Sequence, residues 1–265
     1  MNTKNRPSFA RRPAGFTLVE MLGVLAVISA IIAIGIPAVA KVMQSGRVRN
    51  AEGSAAVVKS ALTAYLSKPG SPGIIPVTEG TVPSSEYLTT GTILTASNIA
   101  NGATLDGILL AEGTLDRPIS LRMGGQNVNP NGAAPLWSPA LAQFTGPATG
   151  TLASYAAASR AECAVCDGIN NPGVTGQSAG SAACAFNLAG NGALIATGIR
   201  VAYLVLKTVP DADAYQLALD VDGVGLAQNT AASPAGNDQS QGSVAYAKDA
   251  AGTGFVDVYY YLTQI

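Results

Sequence analysis

The chain has 265 residues, 48% of them hydrophobic and only 12% charged, with a formal net charge of -1 and no histidine. That length holds one or two domains with a real core, and the missing histidine removes the commonest general base and a common metal ligand. Lys4, Arg6, Arg11 and Arg12 give residues 1–15 a charge of +4, so the rest carries -5, and a lysine-poor acidic body argues against nucleic-acid binding.

The basic start leads into "RRPAGFTLVEMLGVLAVISAIIAIGIPAVAKV", residues 11–42. No charged residue occurs from Met21 to Ala40. A helix of that length reaches about 30 Å, the thickness of a bilayer's hydrocarbon core. Glu20 stands near the start of this run; an acid at the centre of a membrane helix costs about 2.5–3.5 kcal/mol on insertion scales, and such groups normally have a partner. A secretory signal ending at "AVA", Ala38–Ala40, would start the mature chain at Lys41. Its apolar stretch is too long for that reading, and it contains the acid. A twin-arginine signal at Arg11-Arg12 meets the same objection. A plain single-pass anchor is physically sound but leaves Glu20 unexplained.

The order of features in "RRPAG|FTLVEMLGVLAVISAIIAIGIP" resembles the class III signal of type IV pilins and pseudopilins. The resemblance rests on the basic leader, Gly15, Phe16 to Glu20, and the uninterrupted apolar helix, and it covers about the first quarter of the chain. It implies cleavage by a prepilin peptidase between Gly15 and Phe16, methylation of the Phe16 amine, and retention of the apolar segment. By the same resemblance, that segment is expected to hold the subunit in the inner membrane and then to form a filament core. Glu20 lies one helical turn from the new positive amine, so a charge pair is in reach within the subunit or to a neighbour. In an apolar core such a pair sets register more than it adds stability.

Beyond the membrane run, Val48, Ala51, Ala55, Val58, Leu62 and Tyr65 recur at spacings of three and four, one apolar stripe of a helix that Lys68-Pro69-Gly70 ends. The expected helix therefore covers 16–67, with 16–40 in the membrane. Pro37 removes a hydrogen bond and crowds the preceding turn, so a kink or a melted segment is expected around Gly35 and Pro37.

Residues 68–198 read as a Gly/Ala/Thr-rich head insertion. Within it, 105–113 predicts a short helix, 117–123 a strand, and the alanine-rich 152–166 a helix placing Cys163 and Cys166 on one face. With Cys184 these are the only cysteines. Their odd number allows one intrachain disulfide, from Cys163 or Cys166 to Cys184, in an oxidising compartment, and without histidine a zinc site lacks a fourth ligand. Residues 199–265 read as a C-terminal antiparallel sheet with strands at 199–209, 214–221, 243–248 and 255–265, Pro210-Asp211 turning before the second. Asp220 and Asp222, followed by Gly223, make a candidate calcium loop with Asn237 and Asp238 as further ligands, although the EF-hand pattern is not met and Asp-Gly is also an ordinary turn. No other cofactor is expected.

The chain is thus read as α+β: a cleaved leader (1–15), a long N-terminal helix, and a globular head carrying an antiparallel sheet. No nucleophile–base pair, phosphate loop or carboxylate pair marks an enzyme. The resemblance implies a structural filament subunit, homo-oligomeric, served by prepilin peptidase and pilus or type II secretion machinery. It would pass from an inner-membrane precursor to a periplasmic or extracellular filament. The alternatives are a pseudopilin of a type II secretion system and an anchored or secreted binding domain that does not assemble.

Overall fold

The computed structural model describes residues 17–69, 73–78, 105–116, 119, 121, 123, 136–138, 143–145, 159–166 and 182–265. Helix α1 runs over Leu18–Ser67 and contains Pro37. The helix is continuous through Gly35-Ile36-Pro37 in the single chain. Proline still withholds the amide that would bond one turn back. The chain divides into two compact units, Met1–Gln44 and Ser45–Ile265, with the division inside α1.

In the first unit the described side chains from Leu18 to Met43 lie open, with Leu18 and Ile34 at 75% and 76% exposure. The most apolar stretch has a mean hydropathy of 2.6 and buries nothing within the chain. Nothing in water covers such a surface, so it belongs in lipid or against other apolar helices.

The second unit begins where α1 becomes amphipathic. Val48, Ala51, Ala55, Val58, Leu62 and Tyr65, the whole of the expected stripe, are buried, and Ala61 joins them. They share one core with the head, each large aliphatic side chain contributing about 1.5–3 kcal/mol by leaving water. Lys68 closes the helix end by binding the Glu112 carboxylate at 2.7 Å and its carbonyl at 3.0 Å. Helix α2, Leu105–Ala111, confirms the short helix expected there. Ile119, Leu121 and Met123 are buried in alternation, as an extended segment requires, and the rest of 117–123 lies outside the described residues. A two-stranded pair not read from the sequence joins β1, Leu136–Ser138, to β2, Gln143–Thr145.

The main sheet has four antiparallel strands in the order β3-β4-β6-β5: β3 is Arg160–Val165, β4 Arg200–Pro210, β5 Val244–Tyr246 and β6 Phe255–Gln264. Two expectations are corrected here. Residues 160–165 of the alanine-rich stretch form strand β3, not a helix, while 152–158 lie outside the described residues. Alanine's helical preference is only a fraction of a kcal/mol per residue, and pairing from Arg160↔Val205 to Val165↔Arg200 outweighs it. In addition, residues 214–221 belong to helix α3, Asp211–Asp222, not to a strand. Helix α3 follows Pro210 directly and places Asp211 and Asp213 in its first turn, where the helix dipole favours acids. Its buried residues Asp213, Ala214, Leu217 and Ala218 follow helical spacing. The C-terminal sheet therefore draws its fourth strand from the insertion.

Alternation along the strands gives the sheet two packed faces. Ala161, Cys163, Ala202, Leu204, Leu206, Val258 and Leu262 share the main core with α1. Ala164, Cys166, Val201, Tyr203 and Val205 meet Phe186 and Ile195 in a smaller core on the other face. There the Phe186 ring stands edge-on to Tyr261 at 5.5 Å. The edge of β3 is capped rather than open: the Thr78 amide donates to the Cys163 carbonyl at 2.7 Å, and the Ala161 amide donates to Asp106 at 3.1 Å.

Candidate functional site

The start of α1 is the segment the sequence singles out. Gly15 and Phe16 lie outside the described residues. Thr17, Leu18, Val19 and Glu20 form a capping box. The Thr17 amide donates to Glu20 Oε2 at 2.9 Å, and the Glu20 amide donates to Thr17 Oγ1 at 3.3 Å. The Thr17 hydroxyl adds a bond to Glu20 Oε2 at 3.0 Å, and the Met21 amide closes the first turn on the Thr17 carbonyl at 3.2 Å. Glu20 is therefore not a bare acid facing an apolar environment. Its carboxylate turns back toward the N-terminal side and satisfies an amide that the helix leaves orphaned. Thr17 is the residue a charge-only reading of the segment passes over. Its signal, threonine three residues before glutamate ahead of an apolar run, stands in the sequence.

A second device ties α1 to the head. Arg47 grips Asp213 with both arms of its guanidinium, Nε to Oδ2 at 2.6 Å and the second nitrogen to Oδ1 at 3.0 Å. The Asp213 side chain is only 3% exposed. A buried carboxylate needs such a forked partner.

The cysteines separate by face. Cys166 and Cys184 form the disulfide, 18 residues apart. Cys163 points into the main core as a buried free thiol. Burial pushes that thiol up to about 12, so it stays protonated and inert. A helix would have placed Cys163 and Cys166 on one face, whereas the strand sends them to opposite cores.

Asp220 and Asp222 sit in the last turn of α3, where residues two apart point in different directions. The Asp220 carboxylate accepts a bond from Gln216 at 2.7 Å. Asp222 accepts the Ser243 and Val244 amides at 2.7 and 2.9 Å, pinning the helix end to β5. Burial pushes the Asp222 carboxyl above its ordinary value, against the opposing pull of those amides. Asp238 accepts the Lys248 amide at 2.8 Å, and Asn237 is bound through its backbone to Asn229. Among the described residues no three Cys, Asp or Glu side chains gather as a metal cluster.

A family model for the prokaryotic N-terminal methylation motif matches residues 10–36. The chain carries the class III prepilin-type signal of type IV pilins and pseudopilins. In this prepilin-type chain the match spans the leader's end, the junction at Gly15-Phe16, the capping box and most of the apolar half of α1. The signal implies processing by a prepilin peptidase and fits a single-pass inner-membrane precursor. It points to a structural protein rather than an enzyme. No curated protein and no solved structure matches the prepilin-type chain.

Proposed function

We propose that the protein is a structural subunit of a type IV pilus-like filament, cleaved between Gly15 and Phe16, methylated at Phe16 and assembled from the inner membrane through Glu20. The observation that carries this reading is the orientation of the Glu20 carboxylate. Thr17 holds it toward the end of the helix at which cleavage would create a positive amine. An amine there, from the same subunit or the next, gives the acid the partner that an apolar filament core demands. The bare apolar half of α1 supplies the surface that other subunits would cover.

The intact mass of the cellular protein tests the processing step. A chain starting at methylated Phe16 is expected. A start at Lys41 would indicate ordinary secretion, and an uncut Met1 a plain anchor. Assembly is tested by Glu20→Ala, which should insert and be cleaved yet yield few fibres. Normal fibre yield from that variant defeats the pairing. Surface fibres seen by microscopy separate a pilus from the alternative, a pseudopilus of a type II secretion system.

A further inference from the structure

The loop between the disulfide and β4 carries an Asn-Gly pair, Asn191-Gly192, in a setting with its own chemistry. The loop is pinned on both sides. At its start the Gly190 amide donates to the Asn187 carbonyl at 3.0 Å, and Gly190, at a φ of 67°, packs against the end of the Leu226 side chain. At its end Cys166 and the chain around Gly198 and Ile199 exchange backbone bonds at 2.8 Å. Between these anchors, Asn191, Gly192 and Ala193 are exposed. Gly192 has a φ of 81°, which glycine adopts without strain, and the space a Cβ would occupy is empty. The Ala193 amide donates to Asn191 Oδ1 at 2.9 Å, folding the side-chain amide back over the following backbone.

The geometry points to Asn191 as a site of spontaneous deamidation, an ageing mark on the folded head. The Gly192 backbone nitrogen attacks Asn191 Cγ. The new N–C bond closes a succinimide, the Cγ–Nδ2 bond breaks, and ammonia leaves carrying the proton from the Gly192 amide. Water then opens the ring at either carbonyl, giving aspartate or isoaspartate. During attack, negative charge develops on Oδ1, and the Ala193 N–H already points at that atom, as an oxyanion donor does. A side chain at residue 192 would obstruct the attack, and glycine offers none. The other described asparagines of the head's core lack this setting. Asn187 is buried, and the Asn229 amide is held by the Asn237 carbonyl and the Tyr246 hydroxyl. The product adds one negative charge to an already acidic body, and isoaspartate also lengthens the backbone at the loop tip. Because the anchors flank residues 191–193 without including them, the rest of the head keeps its fold. The inference does not depend on filament assembly.

The test is peptide mapping by mass spectrometry of the full chain, kept folded in detergent at mildly alkaline pH and sampled over days. Two other Asn-Gly pairs, Asn101-Gly102 and Asn131-Gly132, lie outside the described residues and serve as internal comparators. Conversion at Asn191 to an aspartate–isoaspartate mixture is expected, with an unchanged melting temperature. Ala193→Pro, which keeps Asn-Gly but removes the donor, should slow conversion severalfold, and Gly192→Ala should nearly stop it. Persistence of the Asn191 amide in the folded chain, while the urea-denatured chain converts, overturns the proposal. Equal rates in Ala193→Pro and the parent overturn the role given to Ala193.

Discussion

Arg47→Met removes the guanidinium that grips Asp213 while keeping most of the apolar stem. Removing one member of a fully buried pair costs about 3–5 kcal/mol, because the other charge is left alone. Two facts reduce that figure here. The Arg47 side chain is 34% exposed, so water already screens part of the interaction. Asp213 also lies in the first turn of α3, whose dipole supports an acid by about 0.3–1 kcal/mol. A loss of about 2 kcal/mol remains, equivalent to a fall in melting temperature of about 4–8 °C for a domain of this size. The assay is a thermal melt of the detergent-solubilised full chain at neutral pH, followed by near-ultraviolet circular dichroism. The double variant Arg47→Met/Asp213→Leu should recover much of the loss, since removing both charges leaves none unpaired. A single variant that melts within about 1 °C of the parent would refute the clamp, because an unpaired carboxylate at that burial cannot be free of cost.

Three further outcomes are expected. Leu62→Ala, at a site 1% exposed, should lower stability by about 2–5 kcal/mol in urea unfolding, whereas Val57→Ala, at 52% exposure on the same helix, should change it by less than about 0.5 kcal/mol. Reducing Cys166–Cys184 should cost about 3 kcal/mol for a loop of 18 residues and move the urea midpoint down; an unchanged midpoint would show that the smaller core holds without the staple. The buried Cys163 thiol should resist alkylation in the folded chain and react once the chain is unfolded. Its folded value is raised to about 12, so the unfolded state loses its proton first. Stability should therefore fall as pH rises from the ordinary thiol range toward 12, and Cys163→Ala should flatten that slope.

The α1 stripe was legible because the buried residues from Val48 to Tyr65 keep helical spacing, and no competing pattern fits them. Strands β4 and β6 were legible from β-branched and aromatic runs of strand length. Helix α3 was misread because Tyr215, Leu217, Leu219 and Val221 alternate as a strand's residues do, yet only Leu217 among them is buried. The acids after Pro210 and the Ala-Leu-Gln content carried the opposite signal. Strand β3 was hidden for another reason: its local preference is helical, and the partner that overrides it begins at Arg200, 40 residues from Arg160. At the site, weighing Glu20 only as a charge in an apolar run concealed its second role. A carboxylate at the third helical position is also a cap, and Thr17 completes it.

Strand β6 comes last in chain order yet sits inside the sheet, flanked by β4 and β5. In the order of synthesis β3, β4 and β5 therefore precede the strand that joins β5 to the others. Until Phe255–Gln264 arrives, β5 has no neighbour in the sheet and one side of β4 stays unpaired. Completion of the sheet therefore waits on Phe255–Gln264, the strand through which β5 is joined to β4.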